Sequence, residues 1–205
     1  MSIRTFSQLM CVVALCATWT TAQESRRRLG EKPDPNMQGT FYASGTPWPH
    51  PNTFTELCRL SDAIIDGTVM SSLAARRSSP DIPYALETDV VIKVNQVVKG
   101  PRDFNTFMVA QNGGAQGGVR LIKTDDVLML PRERYVLFLL KEARTTLPVV
   151  AGVPRYAVIA GPEGKFLVEG GTIQIITKAP SNIQSQYKAS TVESFENAIA
   201  AVLGN

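Results

Sequence analysis

From residue 86 to residue 95 apolar and polar side chains alternate along the chain. Leu86, Thr88, Val90, Ile92 and Val94 share one face, and Glu87, Asp89, Val91, Lys93 and Asn95 the other. A period of two is the pattern of a strand that buries one of its faces. Val97-Val98 breaks the alternation and predicts a bulge, and Lys99-Gly100-Pro101 predicts a turn. Further strands are expected over residues 63–71, with a bend at Gly67, and over 106–111, 119–123, 134–140, 156–160, 165–168 and 172–176. The run 134–140 is almost wholly apolar, which places it at the centre of a sheet. Short strands with glycine turns between them predict a mainly β fold, a small closed or nearly closed antiparallel barrel whose closure hides its edges.

Two stretches follow a helical period instead. Thr53 with Glu56 has the form of a capping box and predicts a short helix through Leu60. Ser190 with Glu193 predicts a second start, after which Val192, Phe195, Ile199 and Val202 recur on one helical face up to a terminating Gly204. Between the strands, the charged segment 76–83 reads as a loop and Gly161-Pro162-Glu163-Gly164 as a simple reversal.

The beginning of the chain has a different character. Arg4, the apolar run 9–17 and Thr20-Thr21-Ala22 have the three-part layout of a secretory signal peptide. The run is far shorter than the roughly 20 apolar residues that cross a bilayer, and no later run approaches that length, so no stable membrane span is expected after cleavage. A lipid anchor at Cys16 is an alternative against which bulky Leu15 argues. The expected organisation is residues 1–22 as signal peptide, 23–52 as a flexible N-terminal arm, and 53–205 as the barrel domain with its terminal helix. The expected location is secreted or periplasmic. Within the arm Arg26-Arg27-Arg28 reads as solvated charge, whereas Phe41, Tyr42 and Trp48 carry enough aromatic area to dock on the domain.

Charge and composition narrow the functional classes. The chain has 205 residues and a formal net charge of +3, and loss of residues 1–22 removes one further positive charge, that of Arg4. A nearly neutral domain without a basic stripe interleaved with aromatics is not expected to bind nucleic acid. An extracytoplasmic address also separates the chain from cytosolic nucleotides and nicotinamide cofactors, and no cofactor is implied. Of the three cysteines, Cys11 and Cys16 lie in the signal segment. Cys58 then has no partner within the chain. An odd cysteine can bridge to a second chain, but its place in the pattern Phe54, Leu57, Cys58 favours burial as a small hydrophobe.

Candidate chemistry is sparse. The single histidine, His50, sits in Pro47-Trp48-Pro49-His50-Pro51, so a multi-imidazole zinc site within one chain is excluded and no metal is expected. Asp125-Asp126 lacks the spacing of a calcium loop and reads as solvated loop carboxylate. The strongest local candidate is the glycine-rich segment Gly113, Gly114, Ala115, Gln116, Gly117 and Gly118. Glycines permit positive φ and bare amides, so Gly113, Gly114, Gln116, Gly117 and Gly118 could receive an anion or a peptide carboxylate; the plainer reading is a wide hairpin without ligand. No Gly-Lys-Ser/Thr follows, and a strand stands where a phosphate-binding loop needs a helix.

A resemblance rests on the order of several motifs. Glu56-Leu57-Cys58 leads through Asp62-Ala63-Ile64-Ile65-Asp66-Gly67-Thr68-Val69 to Val94-Asn95-Gln96-Val97-Val98-Lys99-Gly100, then to paired glycines, a hydrophobic strand and Gly161-Pro162-Glu163-Gly164-Lys165-Phe166. Over about residues 57–176 this resembles an uncharacterised family of secreted, β-rich bacterial proteins. More distantly, the opening order is similar to the netrin-like domain of tissue inhibitors of metalloproteinases, which implies an oligonucleotide/oligosaccharide-binding type of barrel. Those inhibitors set an amino-terminal cysteine on the protease zinc and carry several disulfides. Here the mature chain begins at Gln23 and keeps Cys58, so that mechanism is not carried over.

The expected role is a non-catalytic extracytoplasmic binding module for a protein, peptide or glycan, using the barrel face beside residues 113–118. The alternatives are a carboxylate-dependent hydrolase and a structural component of the envelope.

Overall fold

The computed structural model describes residues 39–43, 50–78, 85–142, 152–177 and 180–204, all within the compact unit Gly39–Asn205. The expected signal peptide, Trp48 and Arg26-Arg27-Arg28 lie outside the described residues. Among those described, no helix is long and apolar enough to cross a membrane.

Five strands close into a small barrel, β2 (Ala63–Ser72), β4 (Leu86–Lys99), β5 (Thr106–Asn112), β8 (Arg134–Lys141) and β9 (Arg155–Val158). Around the barrel the order is β8-β2-β4-β5-β9 and back to β8, antiparallel at every seam except the parallel β5–β9 pair. This is the small closed barrel that the spacing of short strands predicts, OB-like as expected. Val98 is the extra residue of a bulge, since Ile64 pairs with Lys99 and Ile65 with Val97, and a second irregularity falls at Asp66/Gly67.

The centrality of β8 has a simple cause: both its faces are buried. Tyr135, Leu137 and Leu139 fill the barrel interior with Ile65, Val90, Ile92 and Phe107. Val136 and Phe138 face outward into a second core with Phe54, Phe166, Phe195 and Ile199. The lower half of β8 pairs with β10 (Lys165–Glu169) and the upper half with β9, so two strands share one edge in succession. Between them the chain forms a buried 3-10 turn at Gly161–Gly164 instead of an exposed reversal, and the Gln184 amide donates to the Pro162 carbonyl at 2.7 Å. Strand β11 (Thr172–Gln174) extends the sheet beyond β10.

Among the described residues, three helices cover the outer core. The first, α1 (Phe54–Leu60), is capped by the Thr53 hydroxyl, which accepts from the Glu56 amide at 3.1 Å. The second, α2 (Asn182–Tyr187), starts at a full capping box between Ser181 and Gln184. The third, α3 (Val192–Leu203), begins one residue later than expected: Thr191, not Ser190, accepts from the Ser194 amide, and Gly204 ends it at φ 75°. Val192, Phe195 and Ile199 are buried beneath it.

Two small elements replace expected loops. β3 (Arg76–Arg77) pairs with β4, and β6 (Gly114–Gln116) joins β7 (Val119–Lys123) and β1 (Thr40–Ala43) in a separate three-stranded sheet. Phe41 and Tyr42 thus run parallel to β7, opposite Leu121 and Ile122.

Candidate functional site

The glycine-rich segment is two different structures. At its start Gly113 is stitched to β4: its amide donates to the Leu86 carbonyl at 2.8 Å, and its carbonyl accepts from the Thr88 hydroxyl at 2.8 Å. Gly114 has φ 122°, and a methyl there would collide with Thr88 Oγ1 and lie 2.6 Å from the Ala75 side chain. At its end Gly117 and Gly118, at φ 56° and 79°, form the two-residue reversal between β6 and β7, with Gln116 opposite Val119. Positive φ at both central residues is the type I′ hairpin turn that matches strand twist. The hairpin is therefore tight, not wide, and Gln116 is exposed on β6 beside it.

The two halves differ in what they tolerate. Gly114→Ala is expected to lower stability by about 1–3 kcal/mol, through positive φ and overpacking together. Gly117→Asn keeps a residue suited to a type I′ turn and is expected to stay within about 0.5 kcal/mol of the parent. Urea denaturation of both variants checks this; equal losses would show that the segment is uniformly constrained.

Beside Gly113, on the outer face of β4, lies a buried polar network that alternation alone does not announce. Glu87 and Asp89 point outward as predicted, yet Asp89 is fully buried and Glu87 nearly so. Arg155, at the start of β9, covers them. Its Nε donates to Asp89 Oδ1 at 3.1 Å, its Nη2 to Asp89 Oδ1 at 2.9 Å and to Glu87, and its Nη1 to Glu142 just beyond β8. Arg76 of β3 adds a second guanidinium, 3.1 Å from Glu87 Oε1 and 2.5 Å from Asp89 Oδ2. Three carboxylates thus meet two guanidiniums. A planar fork that donates in several directions suits this arrangement better than an ammonium would.

Two further buried pairs lie elsewhere. Lys165, at the start of β10, is 1% exposed, pairs with Asp126 and donates to the Val127 carbonyl at 2.6 Å. Asp126 is therefore a buried partner and not the solvated loop carboxylate its sequence context suggests. Asp66 of β2, also 1% exposed, accepts from Arg134 Nε at 2.9 and 3.1 Å and from the Asn95 amide at 3.2 Å.

Cys58 is fully buried in α1, and burial pushes its thiol up to about 12, against a smaller opposing effect of Lys99. Lys99 Nζ donates to the carbonyls of Cys58 and Arg59, both at 3.0 Å, and so satisfies the end of α1. A bridge from this sulfur to another chain requires α1 to leave its seat. His50 is exposed; its charge lowers the carboxyl of Glu163, which burial raises more strongly. Among the described residues no group of three or more His, Cys, Asp or Glu side chains could hold a metal ion.

Sequence reasoning missed Arg155, Glu142 and Arg76 as a set. The available signals were slight: an arginine opening a short apolar strand, and two acids on the polar side of the longest strand. Scans of protein-family models and of curated proteins gave no match to the chain.

Proposed function

We propose that the barrel is a non-catalytic extracytoplasmic binding module whose ligand, a peptide, protein or glycan, meets the outer face of β4, β5 and β9 beside Gly113–Gly118. The observation that carries this reading is the position of the Arg155 network. Its acids Glu87 and Asp89 stand on β4, the second strand of the barrel and neighbour of the third, β5, while Arg155 opens β9, the fifth, and Arg76 and Glu142 reach in from the β2–β4 and β8–β9 connections. Small barrels of this type use that strand face and those two connections for extended ligands.

The chemistry of the face favours recognition over proton transfer. Glu87, Asp89 and Glu142 are each held by a guanidinium. They offer fixed hydrogen-bonding geometry, with Glu142 and Arg76 reaching partway to solvent. The acids whose carboxyls burial raises, Glu163 and Glu196, sit on the 3-10 turn and on α3, away from this network in the fold. The extracytoplasmic address rests on the sequence of residues 1–22.

The test is a panel of immobilised glycans and peptides probed with residues 23–205, followed by amide-resonance mapping of each hit. Shifts concentrated in β4, β5 and β9 are expected. Hits that map to another surface, or no hit in either class, would overturn the site. Cleavage of any panel member would replace the binding reading with the hydrolase.

A further inference from the structure

Phe195 and Ile199 hold α3 on the outer core, but the same flank of the helix carries an acid. Glu196 is four residues after buried Val192 and three before buried Ile199, so helical geometry turns it toward the sheet. Its Oε1 is buried and has no hydrogen-bond partner among the described residues. Asp66 of β2 and Arg134 of β8 lie near enough for their charges to act on it, and they are already committed to each other by a forked pair, with Asn95 of β4 also donating to Asp66. Arg134 is thus spent on Asp66, and an ionised Glu196 would add a second carboxylate to a site with one guanidinium.

We propose that Glu196 is a proton-operated clasp on the terminal helix: α3 seats fully with this carboxyl protonated and loosens when the proton is lost. The electrostatics run in the same direction. Burial raises the Glu196 carboxyl above its ordinary 4.5, the charge of Asp66 raises it further, and Arg134 opposes them with a smaller effect. Among the described residues only Asp66 and Arg134 act on this carboxyl by charge; β4, which also packs on α3, gives Asn95 to Asp66 and turns Lys99 to the Cys58 and Arg59 carbonyls. α1 presents Phe54 and β11 presents Ile173. Tyr187 of α2 keeps its proton because burial raises its hydroxyl above 10.0.

The sign follows from linkage. An acid with a raised affinity for its proton in the folded state contributes stability that is complete below the ordinary carboxyl value. That contribution is lost as pH rises through the raised one. The seat of α3 is therefore firmest in acid and weakens toward neutrality, opposite to the usual behaviour of a salt-bridged carboxylate such as one paired with arginine.

Amide hydrogen exchange of residues 23–205 tests this, with protection factors of α3 compared with those of β8 from about pH 4, below the ordinary carboxyl value, to about pH 8. Protection of α3 relative to β8 is expected to fall as pH rises. In Glu196→Gln the fall should vanish, with neutral-pH protection higher by about tenfold for each unit by which the proton affinity of Glu196 is raised. Glu196→Ala should flatten the profile in the same way, and Glu193→Gln, on the exposed first turn, should leave it unchanged. Protection independent of pH, the same slope in both Glu196 variants, or a change shared equally by β8 would each overturn the clasp.

Discussion

Arg155→Ala is expected to remove about 3–5 kcal/mol of stability, the penalty for breaking a buried ion pair by taking away one partner. The cause is desolvation. Asp89 is fully buried and Arg155 nearly so, and the single guanidinium reaches Glu87, Asp89 and Glu142 at once. Without it, Arg76 alone faces Glu87 and Asp89, and Glu142 loses its described partner. Arg155→Lys restores the charge but not the fork; a point ammonium cannot donate in three directions along the same plane, so only part of the loss should return. Urea denaturation of both variants measures this. A loss below about 1 kcal/mol for the alanine variant would mean that water reaches the network and that its burial contributes little.

Phe195→Ala is expected to lower stability by about 3–5 kcal/mol, the range for deleting a large aromatic from a packed core. Its ring is fully buried and lies 4.7 Å from Phe166, 4.9 Å from Tyr187, 5.6 Å from Phe54 and 6.2 Å from Phe138, measured between centroids. These neighbours belong to α1, α2, β8 and β10, so no single element can collapse into the space. Phe195→Leu keeps much of the volume and should fall well short of the alanine loss. The check is again the denaturation midpoint, together with near-ultraviolet dichroism, which should lose intensity as the aromatic cluster slackens. A midpoint unchanged by the alanine substitution would show α3 to be a passive cover.

Elements with one dominant local signal were legible in the sequence. β4 shows its alternation, α1 its cap and β8 its unbroken apolar run, and together with the turn spacing they suffice for the barrel. The elements that were not legible are those whose signal is short or displaced. α2 has a capping box at Ser181 and Gln184, but only six residues follow, too few to show a period. β3 and β6 have two and three residues and exist because β4 and β7 lend them partners. The α3 cap moved from Ser190 to Thr191 because two hydroxyl residues stand side by side and the Ser190 carbonyl is already accepting from the Ile173 amide at 2.8 Å.

The polar network failed to show for a different reason. Alternation tells which way Glu87 and Asp89 point, but not what covers them. The cover comes from Arg155, 66 residues beyond Asp89. Lys165 and Asp126 repeat the lesson from either side of β8 in sequence: each looks like surface charge in its own segment, and only the closed fold makes them a pair.

The closure of the barrel also sets an order on how the chain can be completed. Both partners of β9, namely β5 and β8, precede it in sequence, and the parallel seam joins residues near 109 to residues near 156. As the polypeptide emerges from its N-terminal end, β2, β4, β5 and β8 can pair as an open antiparallel sheet while the β5 edge waits. Contacts of such sequence separation form slowly, because the intervening loop must be closed before they contribute anything. Until β9 arrives, that unfilled edge is a free strand template of the kind that joins chains to one another. During synthesis this molecule is thus most exposed to wrong partners at the seam that, once made, leaves the barrel without an edge.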